Sequence, residues 1–444
     1  APRLYPQFAT HNARSVAEIL VRTSARRDFE FQRLHGMGEA LYAALSETKD
    51  IPVRIYAPVG PHKDLLAYLV RRLIENGANS SFVARVADPQ TPERELIGDP
   101  LEKIKPPHSA RHAHLPLPSQ IYLPLRPNSR GVAFGDRWAL AALLKETKSA
   151  HATVARPSIA TTRPARDVSS PIDGAVIGRV VELEAAGAAA TIDAAAKAFP
   201  LWSMTPVGER ARVLLRAADM IEARRGGFIA LLQAEAGKTL DDALAEVREA
   251  ADLCRYYATQ AQRLCADSAL PSVTGEDNRL RHSGRGVFVC ISPWNFPLAI
   301  FIGQIAAALV SGNSVVAKPA EQTPLVAQMA VDLLHEAGAP RAVLQLAPGD
   351  GVVGAALVAD PRTAGVAFTG SVDVAQSVNR ALAARDGAIV PLIAETGGLN
   401  AMVVDSTALM EQVVDDVIVS AFRSAGQRCS ALRLLCLQEE IADA

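Results

Sequence analysis

Short apolar runs alternate with amphipathic stretches over residues 1–83 of the chain. Short runs bounded by polar residues are typical of strands, whereas apolar residues that recur every three or four positions are typical of helices. The pattern predicts strands at 4–9, 29–34 and 53–57 and helices at 13–25, 37–47 and 61–77. Strands that alternate with helices form a parallel sheet or a barrel, and three such units are too few to close an eight-stranded barrel.

A second alternating region begins near Asp167 with a turn-rich entry, Ser-Ser-Pro-Ile-Asp-Gly, and a predicted strand at 176–184. Helices are predicted next, at 186–198, 208–224, 227–236 and 240–265. Strands and helices then alternate, with strands at 285–291, 314–317, 343–346, 366–368 and 389–394 and helices at 296–310 and 324–337. This order predicts an α/β fold with a doubly wound parallel sheet, the usual architecture for binding nucleotides.

The stretch between these regions, residues 84–165, is rich in proline, which interrupts regular elements. We expect a linker here, with one helix near 136–147. His108, His112 and His114 have the density of a metal site, but no carboxylate or cysteine accompanies them. We therefore interpret the three histidines as part of a solvated linker and predict no metal site.

Composition restricts the class of protein. A chain of 444 residues with 49% hydrophobic residues and a net charge of −1 is expected to form two or more globular domains, without the basic excess typical of nucleic-acid binding. The apolar run at 296–310 contains Gln304 and is too short for a membrane span, and no signal peptide is visible. Five cysteines with irregular spacing indicate a reducing compartment, so we expect a cytoplasmic protein.

Candidate chemistry centres on the stretch Ser-Ala-Phe-Arg-Ser-Ala-Gly-Gln-Arg-Cys-Ser at 420–430. Apolar residues in 409–422 have the spacing of a helix with one buried face, and Gly426 then releases the chain so that Cys429 lies on a loop. A thiolate is a nucleophile, and backbone amides or a nearby cation can lower the pKa of a thiol. The alternative is a buried structural cysteine, which packs as a small apolar residue. The polar neighbours Gln427 and Arg428 favour the exposed thiol.

Five short motifs follow one another in this part of the chain. They are Ser-Pro-Trp-Asn at 292–295, Val-Ala-Lys-Pro-Ala-Glu at 316–321, Phe-Thr-Gly-Ser at 368–371, Glu-Thr-Gly-Gly at 395–398 and Gly-Gln-Arg-Cys at 426–429. Their content and order resemble the aldehyde dehydrogenase superfamily. The Arg-Cys-Ser-Ala-Leu-Arg version around Cys429 is similar to the branch that oxidises glutamate semialdehyde.

The resemblance implies a catalytic set of three residues. Cys429 would attack the aldehyde carbon, and the side-chain amide of Asn295 with the Cys429 backbone N–H would stabilise the oxyanion. Glu395 would activate water to hydrolyse the thioester. From the residues alone, Asn295 is equally well placed to cap a helix beginning at Phe296. The apolar run before Glu395 argues against a simple surface carboxylate.

The resemblance also implies NAD as cofactor. It places the following residues at that cofactor: Trp294, Lys318, Glu321, Gly351, Phe368, Gly370 and Ser371. Lys318 and Glu321 would bind ribose hydroxyls, and because a carboxylate repels a 2′-phosphate we expect NAD rather than NADP. Trp294 and Ser371 would approach the pyrophosphate. The literal G-x-G-x-x-G at 349–354 is weak evidence by itself, since Phe368 is followed by Thr369 and not by the acidic residue of that fingerprint.

Three further residues are candidates for binding glutamate semialdehyde. Ser430 would bind the distal carboxylate, Glu246 the amino group, and Phe296 would pack on the carbon chain.

The N-terminal region carries its own motifs: Ala-Thr-His-Asn, Glu-Phe-Gln-Arg-Leu-His-Gly-Met-Gly and Tyr-Leu-Val-Arg-Arg-Leu-Ile-Glu-Asn-Gly-Ala-Asn. They resemble the last three strand–helix units of the proline dehydrogenase barrel in the bifunctional proline utilization A family. The resemblance implies these roles: Arg71 and Arg72 bind the proline carboxylate, Tyr56 and Tyr68 wall the ring, and His11 and Glu75 lie near FAD. Guanidinium groups bind carboxylates bidentately, which suits a small anion. The alternative for the arginine pair is a solvated helix face.

These resemblances together predict a two-step oxidation of proline to glutamate by an FAD-dependent and an NAD-dependent dehydrogenase. The predicted division is 1–83 for the end of the barrel, 84–165 for the linker, 166–396 for the NAD-binding domain and 397–444 for the start of the thiol-bearing domain. We expect small-molecule substrates, no nucleic-acid partner, a homo-oligomer in the full-length protein, and passage of the intermediate between the sites without release. Because the chain enters structure at once and ends soon after Cys429, we also expect a piece of a longer polypeptide. Two alternatives remain: a monofunctional aldehyde dehydrogenase with a non-catalytic N-terminal region, and a nucleotide-binding fragment without activity.

Overall fold

The computed structural model describes residues 4–24, 26–48, 50–77, 82–99, 112, 114–148 and 153–443, apart from the side chains of 75–77, 83–84, 87 and 153. The chain divides into two compact units between Leu115 and Pro116. Among the described residues, no helix has the length and apolar character needed to cross a membrane.

The first unit is built from a parallel sheet of three strands in the order β1-β2-β3. Its strands are β1 Gln7–Ala9, β2 Glu30–Leu34 and β3 Val53–Tyr56. Its helices are α1 Ala13–Thr23, α2 Glu39–Thr48, α3 His62–Gly77, α4 Phe82–Ala87 and α5 Glu93–Leu96. Phe29 and Phe31 pack edge to face at 5.7 Å in the core between sheet and helices, and Tyr42 donates a hydrogen bond of 2.7 Å to the Thr10 carbonyl. The three strand–helix units therefore form as the periodicity predicts.

The second unit contains the remaining regular elements. Its helices are α6 Arg137–Glu146, α7 Ala188–Met204, α8 Val207–Ala223, α9 Arg225–Ala236, α10 Leu240–Leu264, α11 Ala299–Val310, α12 Pro324–Glu336, α13 Gly351–Ala359, α14 Val372–Ala383 and α15 Met410–Phe422. Its strands are β4 Thr153–Ala155, β5 Arg166–Ser169, β6 Val176–Val180, β7 Ser268–Ala269, β8 Arg279–Leu280, β9 Val287–Ile291, β10 Ser314–Lys318, β11 Leu344–Leu346, β12 Thr363–Thr369, β13 Leu392–Glu395, β14 Asn400–Val404 and β15 Leu432–Leu437.

The main sheet of this unit is parallel throughout, with strand order β11-β10-β9-β12-β13. Alternate side chains of β9 enter different cores because successive residues of a strand point to opposite faces. Val287 and Val289 pack with α7, α13 and α14, whereas Phe288 and Cys290 pack with helices of the α8–α12 layer. Helices thus cover both faces, which confirms the predicted doubly wound sheet.

Part of the predicted linker belongs to this second unit. Strand β4 joins β6 in a small sheet of order β4-β6-β5, so residues after 152 already take part in regular structure. Upstream, the Ser129 hydroxyl and backbone N–H donate to the carboxylate of Asp252 at 2.7 and 2.8 Å. Proline content identifies where long elements cannot form, but it carries no information about such side-chain anchors.

The predicted buried face of α15 is wrong. No residue of this helix is buried, and Phe422 is 70% exposed. Apolar periodicity requires a partner surface to become a core, and among the described residues α15 contacts β15 and the turn that follows the helix. The helix itself forms at the predicted position.

Candidate active site

Several predicted site residues lie where strands of the main sheet end. Trp294 and Asn295 follow β9, Lys318 ends β10, and Ser371 follows β12. The carboxyl ends of parallel strands meet at one edge, and ligands of doubly wound folds bind in the crevice outside that edge. The topology therefore gathers residues that are far apart in sequence into one region.

The loop that carries Cys429 has an unusual backbone. Ser424, Ala425 and Gly426 all have positive φ, at 54°, 54° and 67°. A left-handed conformation costs a non-glycine residue about 1–2 kcal/mol, so this turn needs external contacts to persist. At position 426 a Cβ atom would lie 2.8 Å from the Ala421 carbonyl oxygen, which only glycine avoids. Beyond the turn, the Cys429 thiol is exposed, in agreement with its polar neighbours.

Ion pairs to the start of α10 hold the beginning of this loop. Arg423 Nη2 lies 2.6 Å from Asp241 Oδ2, and Arg423 Nε lies 3.1 Å from Asp242 Oδ1. Asp242 is 8% exposed, and burial of its carboxylate opposes the charged form. Hydrogen bonds from Thr239, Ser424 and Arg423 outweigh that cost, so the pKa of Asp242 is lowered. The carboxylate therefore anchors the turn as an anion.

Two side chains hold the end of the same loop. Arg433 Nη2 donates to the Gly426 carbonyl at 2.7 Å. Asn400 Nδ2 donates to the carbonyls of Cys429 and Ala431 at 2.7 and 3.0 Å. Sequence reasoning assigned no role to either residue. Asn400 lies two residues after the Glu-Thr-Gly-Gly motif at 395–398, but a side chain that binds a carbonyl 29 residues away leaves no periodic signal.

Asn295 connects the loop after β9 to the cysteine loop. Its Nδ2 donates to the Gln427 carbonyl at 2.8 Å. A cavity of about 90 Å³ adjoins this contact and is lined by Ala236, Gly237, Lys238, Thr239, Asp242, Trp294, Asn295, Ser424, Ala425 and Gln427. Helix α11 begins only at Ala299, and Leu298 occupies its N-cap, so Asn295 is not the cap of that helix. The predicted N-cap role of Asn295 is therefore wrong, and its role as an oxyanion donor stays a prediction.

The structure gives Glu246 a position that differs from the predicted contact with a substrate amino group. Its carboxylate is fully enclosed, with Oε1 accepting from the backbone N–H groups of Leu298 and Ala299 at 2.7 and 3.2 Å. Oε2 lies 2.9 Å from Lys238 Nζ. Burial raises the pKa of Glu246, and the lysine and both amides oppose that shift. A carboxylate so engaged offers no face to a substrate.

Phe296 and Ser430 lie closer to the surface than Glu246. Phe296 is half-buried, and its ring centroid lies 4.5 Å from Lys238 Nζ, the distance of a cation–π contact. Ser430 is exposed directly after Cys429. The positions of Phe296 and Ser430 neither support nor exclude a contact with substrate, so the roles of both residues in substrate binding stay predictions.

The residues predicted for the ribose differ in exposure. Lys318 is 6% exposed, its Nζ donates to the Pro319 carbonyl at 3.1 Å, and desolvation lowers its pKa, while the carboxylates of Glu321, Asp350 and Glu182 oppose that shift. Glu321 is exposed just beyond. A buried cation beside an exposed carboxylate offers a donor and an acceptor, the chemistry that ribose hydroxyls require.

Two helix N-termini at this edge already carry caps. The Asp350 carboxylate accepts from the backbone N–H groups of Val352 and Val353 at 3.0 and 3.2 Å, directly beside Gly351. Because an anion occupies the start of α13, the helix end in the G-x-G-x-x-G stretch does not suit a phosphate. The hydroxyl of Ser371 caps α14 by accepting from Val374 N at 3.3 Å and keeps its own proton for another acceptor.

Phe368 and Gly370 form the end of β12 together. Phe368 is 4% exposed, and a Cβ atom at position 370 would lie 2.6 Å from its ring. Glycine thus lets the backbone turn tightly over a buried ring at the sheet edge. Trp294, which is also predicted to contact the cofactor, is 43% exposed.

Glu395 ends β13, which is the edge strand of the sheet. Its backbone carbonyl accepts from Gly370 N at 3.1 Å, and its side chain is exposed. The expectation that the preceding apolar strand shields this carboxylate is wrong. An edge strand has an uncovered side, and Ile393 on the same strand is 57% exposed. Whether Glu395 serves as the base stays a prediction.

In the first unit, two predicted tyrosines and one arginine cluster. The rings of Tyr56 and Tyr68 lie 6.3 Å apart, and the Arg72 guanidinium carbon lies 5.3 Å from the Tyr68 ring centroid. Arg71 is exposed and lines a groove of about 640 Å³ together with Lys63, Leu66, Ala67, Val70 and Ile74. The structure therefore associates Arg72, but not Arg71, with the tyrosine pair.

His11 binds the neighbouring strand. Its Nε2 accepts from the backbone N–H of Leu34 at 3.1 Å, so the neutral ring carries its proton on Nδ1. Desolvation, and to a lesser extent Arg33, lowers the pKa of His11, which favours that neutral ring. The side chain of Glu75 lies outside the described residues, as does His108. The rings of His112 and His114 lie 5.6 Å apart and are tilted by 59°, and no metal-binding group of three His, Cys, Asp or Glu side chains occurs among the described residues.

Both units of the chain are similar to known enzymes. The aldehyde dehydrogenase family model matches residues 159–444, and the proline dehydrogenase model matches residues 1–85. The bifunctional protein PutA of Klebsiella aerogenes is 48% identical over 99% of this chain and 34% of its own length. PutA of Rhizobium meliloti is 50% identical over 98% of this chain and 36% of its own. The chain belongs to the bifunctional proline utilization A family, and its larger part to the aldehyde dehydrogenase family.

The chain spans about a third of the length of these curated family members. Solved structures agree with the assignment. A mutant of Bradyrhizobium japonicum proline utilization A is 57% identical with a TM-score of 0.80, covering 100% of this chain and 43% of that one. Proline utilization A from Bdellovibrio bacteriovorus, inactivated by N-propargylglycine, is 31% identical with a TM-score of 0.84, covering 99% and 46%. A 1-pyrroline-5-carboxylate dehydrogenase from Thermus with bound NAD is 34% identical with a TM-score of 0.67, covering 70% and 63%.

Proposed function

We propose that residues 159–444 form part of an NAD-dependent dehydrogenase that oxidises glutamate semialdehyde, the open form of pyrroline-5-carboxylate, to glutamate. The observation that carries this proposal is the exposed Cys429 on a tightly anchored turn whose loop is bound by Asn295. Thiol-dependent aldehyde oxidation needs a nucleophilic thiol and a hydrogen-bond donor for the oxyanion. Here the loops that carry these two groups are joined by the hydrogen bond from Asn295 to Gln427. Residues 166–396 would form the nucleotide-binding domain and 397–444 the start of the thiol-bearing domain.

The reaction begins when the Cys429 thiolate adds to the aldehyde carbon and converts the carbonyl oxygen into an oxyanion. The oxyanion accepts hydrogen bonds from the Asn295 amide and the Cys429 backbone N–H, and one such donor typically contributes about 3 kcal/mol. An amide carries two N–H groups, so the bond from Asn295 to the Gln427 carbonyl uses only one. NAD, when bound, supplies the acceptor for the departing hydride. Glu395 then takes a proton from the water that hydrolyses the thioester on Cys429.

Lys318 and Glu321 are proposed to hold the ribose of NAD. The exposed Glu321 carboxylate would repel a 2′-phosphate, and the buried Lys318 ammonium is fixed at the end of β10. Trp294 and Ser371 are proposed for the pyrophosphate, since the start of α13 is already capped by Asp350. Ser430 and Phe296 remain the proposed contacts for the substrate's carboxylate and carbon chain.

We propose that residues 1–85 contribute to an FAD-dependent proline dehydrogenase. Tyr56, Tyr68 and Arg72 form a cluster with aromatic faces and a guanidinium, which suits a small amino acid with a ring and a carboxylate. Arg71 and Glu75 are retained as proposed substrate and flavin contacts on the same helix. The Nδ1–H of neutral His11 would be a donor to the flavin.

One experiment tests both halves in the full-length protein that contains this chain. The purified protein should show flavin absorbance, reduce an artificial electron acceptor with proline, and form NADH from pyrroline-5-carboxylate. A protein without flavin that still forms NADH would restrict the function to aldehyde oxidation. A protein that forms no NADH from the aldehyde would overturn the proposed dehydrogenase.

A further inference from the structure

Helices α9 and α10 form a hairpin that carries two buried carboxylates, and each one caps a helix elsewhere in the unit. Glu235, one residue before the end of α9, is 3% exposed. Its Oε1 accepts from Leu325 N at 2.7 Å and its Oε2 accepts from Val326 N at 2.9 Å, both in the first turn of α12. Burial raises the pKa of Glu235 to about 7, and the two amide donors oppose that shift.

Glu246 repeats this arrangement on the other side of the hairpin turn. It is 1% exposed and accepts from the backbone N–H groups of Leu298 and Ala299, at the start of α11. Its second oxygen pairs with Lys238 in the turn itself, at 2.9 Å. The turn is fixed by Gly237, which has φ of +64° and ends α9, and by Thr239, which caps α10.

The two glutamates supply acceptors for backbone N–H groups at the starts of α11 and α12. The first N–H groups of a helix have no partner inside the helix, and a carboxylate there is also stabilised by the helix dipole. A buried carboxylate is costly unless its hydrogen-bonding capacity is used. Both glutamates are therefore bound tightly to the backbone that they cap, and a rigid hairpin transmits its position to two helix starts.

Each capped helix directly follows a loop with a proposed role. Helix α11 begins after the segment that carries Trp294 and Asn295, and α12 begins after the segment that carries Lys318 and Glu321. Resting on the proposed function for what these loops do, we propose that Glu235 and Glu246 are a pair of positioning residues. Glu246 sets the loop of the oxyanion donor, and Glu235 sets the loop that binds the cofactor ribose.

Glutamine at these positions tests the two roles separately. In Glu235→Gln, the –NH2 group of the amide faces one of the two backbone N–H donors, so one cap is lost. In Glu246→Gln, the –NH2 group faces either the Lys238 ammonium or the two backbone N–H groups, and this donor–donor repulsion moves the side chain away from the start of α11. Both changes keep the side-chain volume, which limits the loss of packing.

The experiment measures kcat with glutamate semialdehyde and the Kd of NAD by fluorescence in the full-length enzyme. Glu246→Gln should lower kcat about tenfold or more and change the Kd of NAD by no more than about twofold. Glu235→Gln should raise the Kd of NAD about tenfold and leave kcat at saturating NAD within about threefold. If either glutamine variant cannot be purified, Glu235→Asp and Glu246→Asp replace them. An aspartate side chain is one methylene shorter and cannot reach the same amides, so the same separate effects on kcat and on the Kd of NAD are expected.

The matched control is Glu222→Gln in the same helical layer. Glu222 pairs with Arg255, and Asp219 pairs with the same arginine. Glu222→Gln should lower the unfolding temperature without changing kcat or the Kd of NAD. If the two test variants lose kcat and NAD affinity together, in step with their loss of unfolding temperature, the positioning roles are overturned and the residues are only structural. If the wild-type enzyme forms no NADH, the proposed function fails, while the NAD titration of Glu235→Gln still decides the role of Glu235.

Discussion

The side-chain amide of Asn295 donates a hydrogen bond of 2.8 Å to the main-chain carbonyl of Gln427, two residues before Cys429. This bond joins the loop after the central strand β9 to the loop of the proposed nucleophile, across 132 residues of sequence. The two groups that would surround the reacting carbonyl are therefore positioned by one another.

Asn295→Ala removes both the proposed oxyanion donor and the connection to the cysteine loop. We expect kcat for aldehyde oxidation to fall about 100-fold or more, since one oxyanion donor is worth about 3 kcal/mol. The Kd of NAD should change little. Steady-state kinetics with an NAD titration checks this, and a kcat within about threefold of wild type would exclude Asn295 from the oxyanion site.

Arg423→Gln releases the turn that precedes Cys429, because the substitution removes the pairs with Asp241 and Asp242. Two residues of that turn are held at positive φ against their preference, so the loop should relax. We expect kcat/KM to fall about tenfold, since small displacements of a reacting group are costly. The control is Arg179→Gln, which removes an exposed ion pair with Asp167 at 3.1 Å. Such a pair should contribute about 0–1 kcal/mol to the free energy of unfolding, and its loss should leave the activity unchanged. Equal kinetics for the two variants would mean that Arg423 does not position the loop.

The sequence identified most elements of the fold, because periodicity depends on residues close together in the chain. Helix α10 at Leu240–Leu264 and strand β9 at Val287–Ile291 lie within two residues of their predicted ends. The motifs also located the loops of the candidate site, since they lie at strand ends.

The contacts that hold the site could not be predicted in the same way. Arg423 and Asp242 are 181 residues apart, and Asn400 binds the Cys429 carbonyl through a single side chain. Glu246 illustrates the same limit. From the sequence we predict a contact between Glu246 and the substrate amino group, whereas the hydrogen bonds of Glu246 to the start of α11 depend on how two helices pack. In α15 the apolar residues recur with the spacing of a buried helical face, but among the described residues no partner surface covers them.

Glu321→Gln should reduce the preference for NAD over NADP. The exposed carboxylate repels a 2′-phosphate, and an amide of the same shape removes that repulsion. We expect the ratio of kcat/KM values for the two cofactors to shift by about tenfold towards NADP. Glu336→Gln, an exposed carboxylate at the far end of α12, serves as control and should leave the ratio unchanged. A wild-type enzyme that prefers NADP would contradict the role of Glu321.

Arg72→Met in the full-length enzyme should raise the KM for proline about tenfold or more without changing the flavin content. The loss of one charged hydrogen bond to a carboxylate costs about 2–3 kcal/mol. Arg72 lies against Tyr68, so its removal also leaves that ring without its cation. Lys63→Met on the same helix is the matched control for loss of a positive charge. Unchanged proline kinetics in the Arg72 variant would refute its contact with the carboxylate.

NADH formation from glutamate semialdehyde by Cys429→Ala, compared with Cys436→Ala, tests most directly whether the Cys429 thiol is the nucleophile. Both cysteines are exposed and lie seven residues apart, but only Cys429 follows the anchored turn. We expect that Cys436→Ala matches the wild-type rate, while Cys429→Ala forms no NADH above background and binds NAD with unchanged affinity. NADH formation by Cys429→Ala at a rate comparable to wild type would contradict the assignment of Cys429 as the nucleophile.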